Sequence, residues 1–380
     1  MFVKRGKRLI TMAVVAVALP LSLPAVATAA AGPIELGVMP GTEDTSVTAI
    51  GDRGQLIGES CANGPHSHSC VAVKWDKAGR VTQLQPLPGG FAVAKAVNAS
   101  GVIAGLSNLR AVLWSTDGSI TQLPAPPGGS ASEANGISST GIVVGTGSTS
   151  DGRRRGLRWD SAGNVSVLAA PPLAGHYSAT AISRDGRFVA GQLQADDGSF
   201  RVLRWDATGA VTVFGPDGEL SWFKELNASG EIVGRTTING RYAAVKWTAD
   251  GRMIELGWIN SYATDVLALN GSGVSVGMGY VDSPNGSLYS PVRWAADGTM
   301  TSLSTTGTGG NAMDIDGQGR VVGIAGNAVL WDANGVRTDL GTLPGGGYSR
   351  AELIGLDGTI AGGAVTAGGD WHAVYWPARY

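Results

Sequence analysis

From residue 32 onward, apolar and polar residues alternate in short runs, the signature of half-buried strands, and no helical period develops. One set of runs ends in Trp, as in VAVKW (71–75), AVLW (111–114), RVLRW (201–205), AAVKW (243–247) and NAVLW (327–331). Eight such Trp residues occur, Trp75, Trp114, Trp159, Trp205, Trp247, Trp294, Trp331 and Trp376, at intervals of 37 to 47 residues. After each but the last comes a tight polar turn such as DKAG, STDG, DSAG or DANG. A second apolar run then returns (VTQL, SITQL, VSVL, VTVF, MIEL, MTSL, VRTDL). Asp-Gly and Asn-Gly supply the positive φ that such hairpins need.

The other half of each unit is as regular. GQLIG (54–58), GVIAG (101–105) and GIVVG (141–145) recur as GEIVG (230–234), GVSVG (273–277), GRVVG (319–323) and GTIAG (358–362). The fourth copy, GRFVAG (186–191), has one extra residue, which predicts a bulge. A short strand with its turn precedes each first Gly (AVNAS, AISRD, ELNAS, DIDGQ). Asn98, Asn227 and Asn270 fall in N-x-S sequons there, read as turn chemistry rather than glycosylation.

Four strands in about 43 residues are the signature of a propeller blade, so the expected fold is an all-β, eight-bladed β-propeller of four-stranded blades. Three strand pairs are joined by local turns, which leaves the Pro/Gly-rich segments (QPLPGGFAVA, PAPPGGSAS, GTLPGGGYS) as crossings between blades. The last blade then lacks an outer strand, and residues 32–37 (GPIELG) form an outer strand with no blade of their own. The N-terminal strand is expected to complete the last blade and close the ring, removing the open edges.

Composition agrees: 59 Gly and 43% hydrophobic residues with only 15% charged describe a turn-rich chain with ample core. Residues 1–29 read as a signal peptide and 30–380 as a single propeller domain. Lys4, Arg5, Lys7 and Arg8 precede the apolar Leu9–Leu23 run, and Ala27-Thr28-Ala29 is an A-x-A cleavage site. Pro20 and Pro24 interrupt the apolar region, no twin-Arg pair or lipidation Cys is present, and no membrane anchor is expected. Removing the signal takes the formal charge from −2 to −6, a balance unsuited to nucleic acid or anionic membranes.

Cys61 and Cys70 are the two cysteines, and a secreted chain is expected to join them as a disulfide. With His66 and His68 between them they also read as a metal site, which oxidising conditions disfavour by removing thiolates. No cofactor motif appears, and the propeller is expected to be a monomer without metal or cofactor.

Strand order places the crossings and the loops after the G-x-x-x-G runs on one face, where lengths vary, and binding chemistry is expected there. The three Trp outside the repeat position, Trp222, Trp258 and Trp371, fall on that face with His66, His68, His176 and His372. Tyr177, Tyr242, Tyr262, Tyr280, Tyr289 and Tyr348 join them. Aromatic side chains beside polar neighbours suit a glycan or protein ligand, and equally plug gaps between blades. The candidate ligand contacts are Trp222, Trp258, Trp371, His372, His176, Tyr177 and Tyr348.

Glu225 and Asp314 join that set because they stand where other copies carry Ala49, Ala96, Gly136, Ala181, Ala268 and Leu353. A carboxylate there needs a partner. A hydrogen bond to a neighbouring blade is one account, and a polar site near the axis is the other. Asp314-Ile315-Asp316-Gly317 resembles the start of a calcium loop without the remaining ligands and is read as a turn. Arg153, Arg154 and Arg155 could meet an anion but are read as a solvated run. No G-x-S-x-G, H-E-x-x-H or P-loop pattern occurs, and no catalytic residue is assigned.

The last copy reads DLGTLPGGGYSRAELIGLDGTIAGGAVTAGGDWHAVYW. Its Leu340-Gly341, Leu343-Pro344-Gly345-Gly346, Ser349, Ala351, Ile354, Gly358, Gly362, His372-Ala373 and Trp376 resemble the unit LGxLPGGxxSxAxxINxxGxVVGxSxxxxGxxHAFxW of the bacterial extracellular HAF-repeat proteins. Val374 stands where that unit has Phe. The resemblance covers the mature chain through degenerate copies and implies a secreted, propeller-like repeat protein without an established activity. The resulting expectation is a secreted recognition module for a glycan or extracellular protein. A polysaccharide-cleaving lyase or hydrolase is the alternative, and a purely structural envelope protein is a third.

Overall fold

The Trp-ending runs and their partners form eight four-stranded antiparallel sheets, and no helix occurs among the described residues. The computed structural model describes residues 32–62, 70–217, 219–259, 262–283, 286–303, 305, 307 and 309–378. The fold is the expected eight-bladed β-propeller. Blade 1 runs Asp44–Ile50, Leu56–Cys61, Cys70–Trp75 and Val81–Gln83 from the inside outward. Blade 8 contributes Ser349–Ile354, Ile360–Val365 and Trp371–Trp376, and Ile34–Glu35 adds its outer strand. Ile34 pairs with Tyr375 and Glu35 with Val374, so the N-terminal strand closes the ring.

The two glycines of each G-x-x-x-G run do different work. The first ends the inner turn at φ between 73° and 84°, a region glycine adopts without strain. The second is needed for space. Every inner strand carries a one-residue bulge, for example between Val47 and Ala49 and between Phe223 and Glu225. The bulge turns a carbonyl toward the second Gly, and a Cβ on Gly105 or Gly145 would lie 2.1 or 1.9 Å from the Val93 or Glu133 oxygen.

The extra residue of the fourth copy lies elsewhere than expected. Ser183 N–H bonds the Phe188 carbonyl, whereas Asn98 N–H bonds Val102, so the insertion lengthens the inner turn. Blade 4 has the same inner-strand bulge as its neighbours, between Ala179 and Ala181. A turn open to solvent absorbs an added residue without shifting the ladder.

The repeat Trp residues are buried between blades. Trp114, Trp159, Trp205 and Trp376 donate their indole N–H groups at 2.8 Å to Gln85, Pro124, Ala169 and Leu340 carbonyls, just beyond the previous blade's outer strand. The sequon asparagines are buried turn residues. Asn227 Oδ1 accepts from Ser229 and Glu231 amides while its Nδ2 donates to the Asn270 carbonyl of the next blade, and Asn270 Nδ2 donates onward to Asp316.

Candidate functional site

The inner strands carry both odd carboxylates to the channel wall, and each is committed to a neighbour. Glu225 of blade 5 accepts from the Leu269 amide of blade 6 at 3.0 Å. Asp314 of blade 7 accepts from the Ile354 amide of blade 8 at 2.8 Å and from Ile315. Burial pushes Glu225 up to about 8, with the Asp314 charge adding to it. Burial also pushes Asp314 up to about 7, against the two amides that pull it down. The bond to a neighbouring blade is therefore present. Asp316 caps its own turn and pairs with Arg320 at 2.7 Å, so this stretch is a turn.

The remaining candidates separate into three places on the variable face. On blade 8, His372 faces two acceptors, the Glu35 carboxylate through Nδ1 and the Glu43 carbonyl through Nε2 at 2.9 Å. The Trp371 amide bonds Asp44 at 3.1 Å. Both residues thus tie blade 8 to the closing strand and to blade 1. The Trp371 ring occupies the space a side chain on Gly363 would need, under Arg350 and beside Tyr348, which is 37% exposed. Arg350 is itself paired with Glu352.

On blade 4, Tyr177 is 4% exposed, packs on Trp205 and donates its hydroxyl to the Leu168 carbonyl at 2.9 Å. It is a plug between blades, out of reach of a surface ligand, because its one polar atom is spent inside the core. His176 is exposed and accepts from the Arg154 amide at 3.1 Å. The three arginines beside it are all paired: Arg153 with Asp196, Arg154 with Glu133 and Arg155 with Asp151.

The third place is the groove between blades 5 and 6, and it differs in kind. Trp222 and Arg235 are cross-strand partners on the first two strands of blade 5, Ser221–Leu226 and Ile232–Ile238. The Arg235 guanidinium lies over the Trp222 ring at 5.1 Å and over Tyr242 at 4.6 Å. Trp222 is half-buried against Phe200, and Tyr242 is 47% exposed. Asp265 of blade 6 stands on the opposite wall, and Lys224 lines the same groove, of about 170 Å³. No ion pair links Arg235 to Asp265, and neither side chain has a hydrogen-bonded partner among the described residues.

Blade 6 projects a hairpin of two nine-residue strands, Ser275–Ser283 and Gly286–Trp294. Tyr280 donates its hydroxyl to Tyr289 at 2.8 Å on it, and the bond raises the Tyr280 pKa. The crossing into blade 6 forms its own small hairpin, in which Trp258 pairs with Ala263, and this packs against the projecting strand. Trp258 thus belongs to this small hairpin, and Trp222 lines the groove. Arg235 and Asp265 are absent from the sequence-derived set. Their signal is a charge at positions that vary from copy to copy.

A larger cavity, about 380 Å³, lies between blades 1 and 2, bounded by Glu59, Val71, Phe91 and Val93. Its walls are mostly aliphatic, and Glu59 accepts from Ser46 Oγ at 3.1 Å, so it offers less polar recognition than the smaller groove. At its edge Cys61 and Cys70 are joined as a disulfide between paired strands, which removes the thiolates a metal site would need. His66 and His68 lie outside the described residues.

No family model and no curated protein matches the chain. Among solved structures it is similar to Porphyromonas gingivalis dipeptidyl peptidase 4, at 11% identity and TM-score 0.53 over 76% of this chain and 50% of that one. It is similar to a prolyl endopeptidase at 11% identity and TM-score 0.54, over 88% of this chain and 54% of that one. It is similar also to an oligogalacturonate lyase solved with manganese, at 14% identity and TM-score 0.50, over 93% and 99%. The chain spans about half the length of the two peptidases. At these identities the likeness is one of fold.

Proposed function

We propose that this protein is a secreted recognition module whose ligand is a glycan, held in the groove between blades 5 and 6. The observation that carries the reading is the cluster of Trp222, Arg235 and Tyr242, with Trp222 and Arg235 lining the groove together with Asp265. Aromatic rings supply a platform for the apolar face of a pyranose, while a carboxylate and a guanidinium supply acceptors and donors for its hydroxyls. The groove is a cleft between the inner strands of two adjacent blades, which suits an extended ligand better than a flat protein face. The disulfide agrees with an exported protein, and the repeat unit with membership of the HAF-repeat proteins.

A polysaccharide-cleaving reading would draw on Glu225 and Asp314, and both spend an oxygen on a backbone amide of the next blade. The recognition reading is therefore preferred. Glycan-array binding by the wild type, Trp222→Ala and Tyr242→Ala, with Trp371→Ala for comparison, tests it. Loss of signal in the first two variants alone is expected. Equal signal in all four proteins, or loss only in Trp371→Ala, would overturn the assignment.

A further inference from the structure

Among the described residues five arginines lie over aromatic rings, and four of them have at least one protein acceptor or carboxylate partner. Arg155, over Tyr177, bonds the Gly175 carbonyl and Asp151. Arg187, over Phe188, bonds Asp185 and the Ala228 carbonyl. Arg204, over Phe188 and Phe214, bonds the Gly230 and Ala249 carbonyls. Arg350, over Trp371, pairs with Glu352. Arg235 is covered by two rings and has no acceptor among the described residues. Its five N–H donors are unspent, in a half-buried position.

Stacking fixes a guanidinium by its faces and leaves the N–H edge to form bonds, the geometry that receives an oxyanion through two parallel hydrogen bonds. The charge around it agrees. Lys224 and Arg235 set two cations against the single carboxylate of Asp265 along the groove lining, in a chain whose overall charge is negative. Exposed Tyr242 and half-buried Trp222 pack on each other beside the cation, with ring centroids 5.7 Å apart, and offer an aromatic surface on which the ring of the same ligand can pack.

We infer that Arg235 anchors an anionic sugar residue, one whose pyranose carries an oxyanion substituent, either a uronic acid carboxylate or a sulfate ester. The inference rests on the glycan reading above and names its ligand class. The interaction is charge-assisted, so its contribution falls with ionic strength, whereas packing on Trp222 does not.

The test is calorimetric binding of hexuronate trisaccharides of the gluco, manno and galacto series, each beside its methyl ester. A sulfated trisaccharide beside its desulfated form is the second arm. The wild type is expected to bind an acid form about 10- to 100-fold more tightly than the neutral form. Arg235→Gln should abolish that preference, and Arg235→Lys, which keeps the charge and loses the fork, should retain part of it. Preference for the uronate identifies the carboxylate as the anion, and preference for the sulfated sugar identifies the ester. Unchanged melting temperatures in both variants separate lost binding from lost fold. Trp222→Ala should weaken acid and ester alike. Equal binding of charged and neutral forms, or an intact preference in Arg235→Gln, overturns the anionic class and leaves the glycan reading standing. Failure of every sugar to bind overturns both.

Discussion

Trp75 of blade 1 donates its indole N–H to the Gly37 carbonyl at 2.7 Å, and Gly37 lies two residues past the Ile34–Glu35 strand that completes blade 8. The bond is the one that Trp114 makes to Gln85 and Trp159 to Pro124 between consecutive blades. The seam of the ring is therefore an ordinary blade-to-blade joint. Leu36 lies beneath it, 0% exposed, with its amide on the Ala373 carbonyl at 2.9 Å.

Removing residues 32–37 should destabilise the whole ring, since it strips an outer strand, a Trp partner and a buried Leu together. Leu36→Ala alone is expected to cost about 2–5 kcal/mol in urea denaturation. Hydrogen exchange should show protection lost around the ring, and a loss confined to blade 8 would contradict closure.

The bulge carbonyls make the second Gly of each run intolerant of any side chain. Gly105→Ala should be strongly destabilising, because a Cβ would sit 2.1 Å from the Val93 oxygen. Gly347→Ala, where a Cβ meets nothing within 4 Å, should be near neutral, and urea midpoints of the two variants compare them.

The channel carboxylates give stability a pH dependence of known sign. The unfolded chain releases these protons near the ordinary carboxylate values of 4.5 and 3.8, while the folded chain holds them to about 8 and about 7. The folded state binds more protons in that window, so stability is complete below it and falls as pH rises through it. Melting temperature should decline across the window, and Glu225→Gln and Asp314→Asn should each flatten the decline. A steeper decline in either variant would contradict the assignment.

Architecture was legible because one residue type marks one position of every repeat. Trp spacing gives the blades, and the orphan GPIELG strand gives the closure. Local irregularity was less legible: an added residue in GRFVAG reads equally as a bulge or a longer turn, and only the ladder register decides. At the site, Trp222 was visible as a Trp out of phase with the repeat. Arg235 was not, since a lone Arg in a strand reads as a solvated position until register sets it beside Trp222. Tyr177 and His372 were visible as odd residues, but whether an aromatic or imidazole plugs, clamps or binds depends on neighbours distant in sequence.

The disulfide closes the end of the second hairpin of blade 1. Replacing Cys61 and Cys70 with Ser should cost about 2–3 kcal/mol, the loop entropy of so short a closure. Dithiothreitol should lower the wild-type denaturation midpoint toward that of the variant and leave the variant unchanged.

The central claim is a place: the groove between blades 5 and 6 holds the ligand. Hydrogen exchange with and without a bound oligosaccharide tests it most directly. The expected result is added protection over residues 221–226, 232–245 and 265–283. Protection appearing instead over residues 348–372 of blade 8, or along the channel strands of every blade, would contradict it.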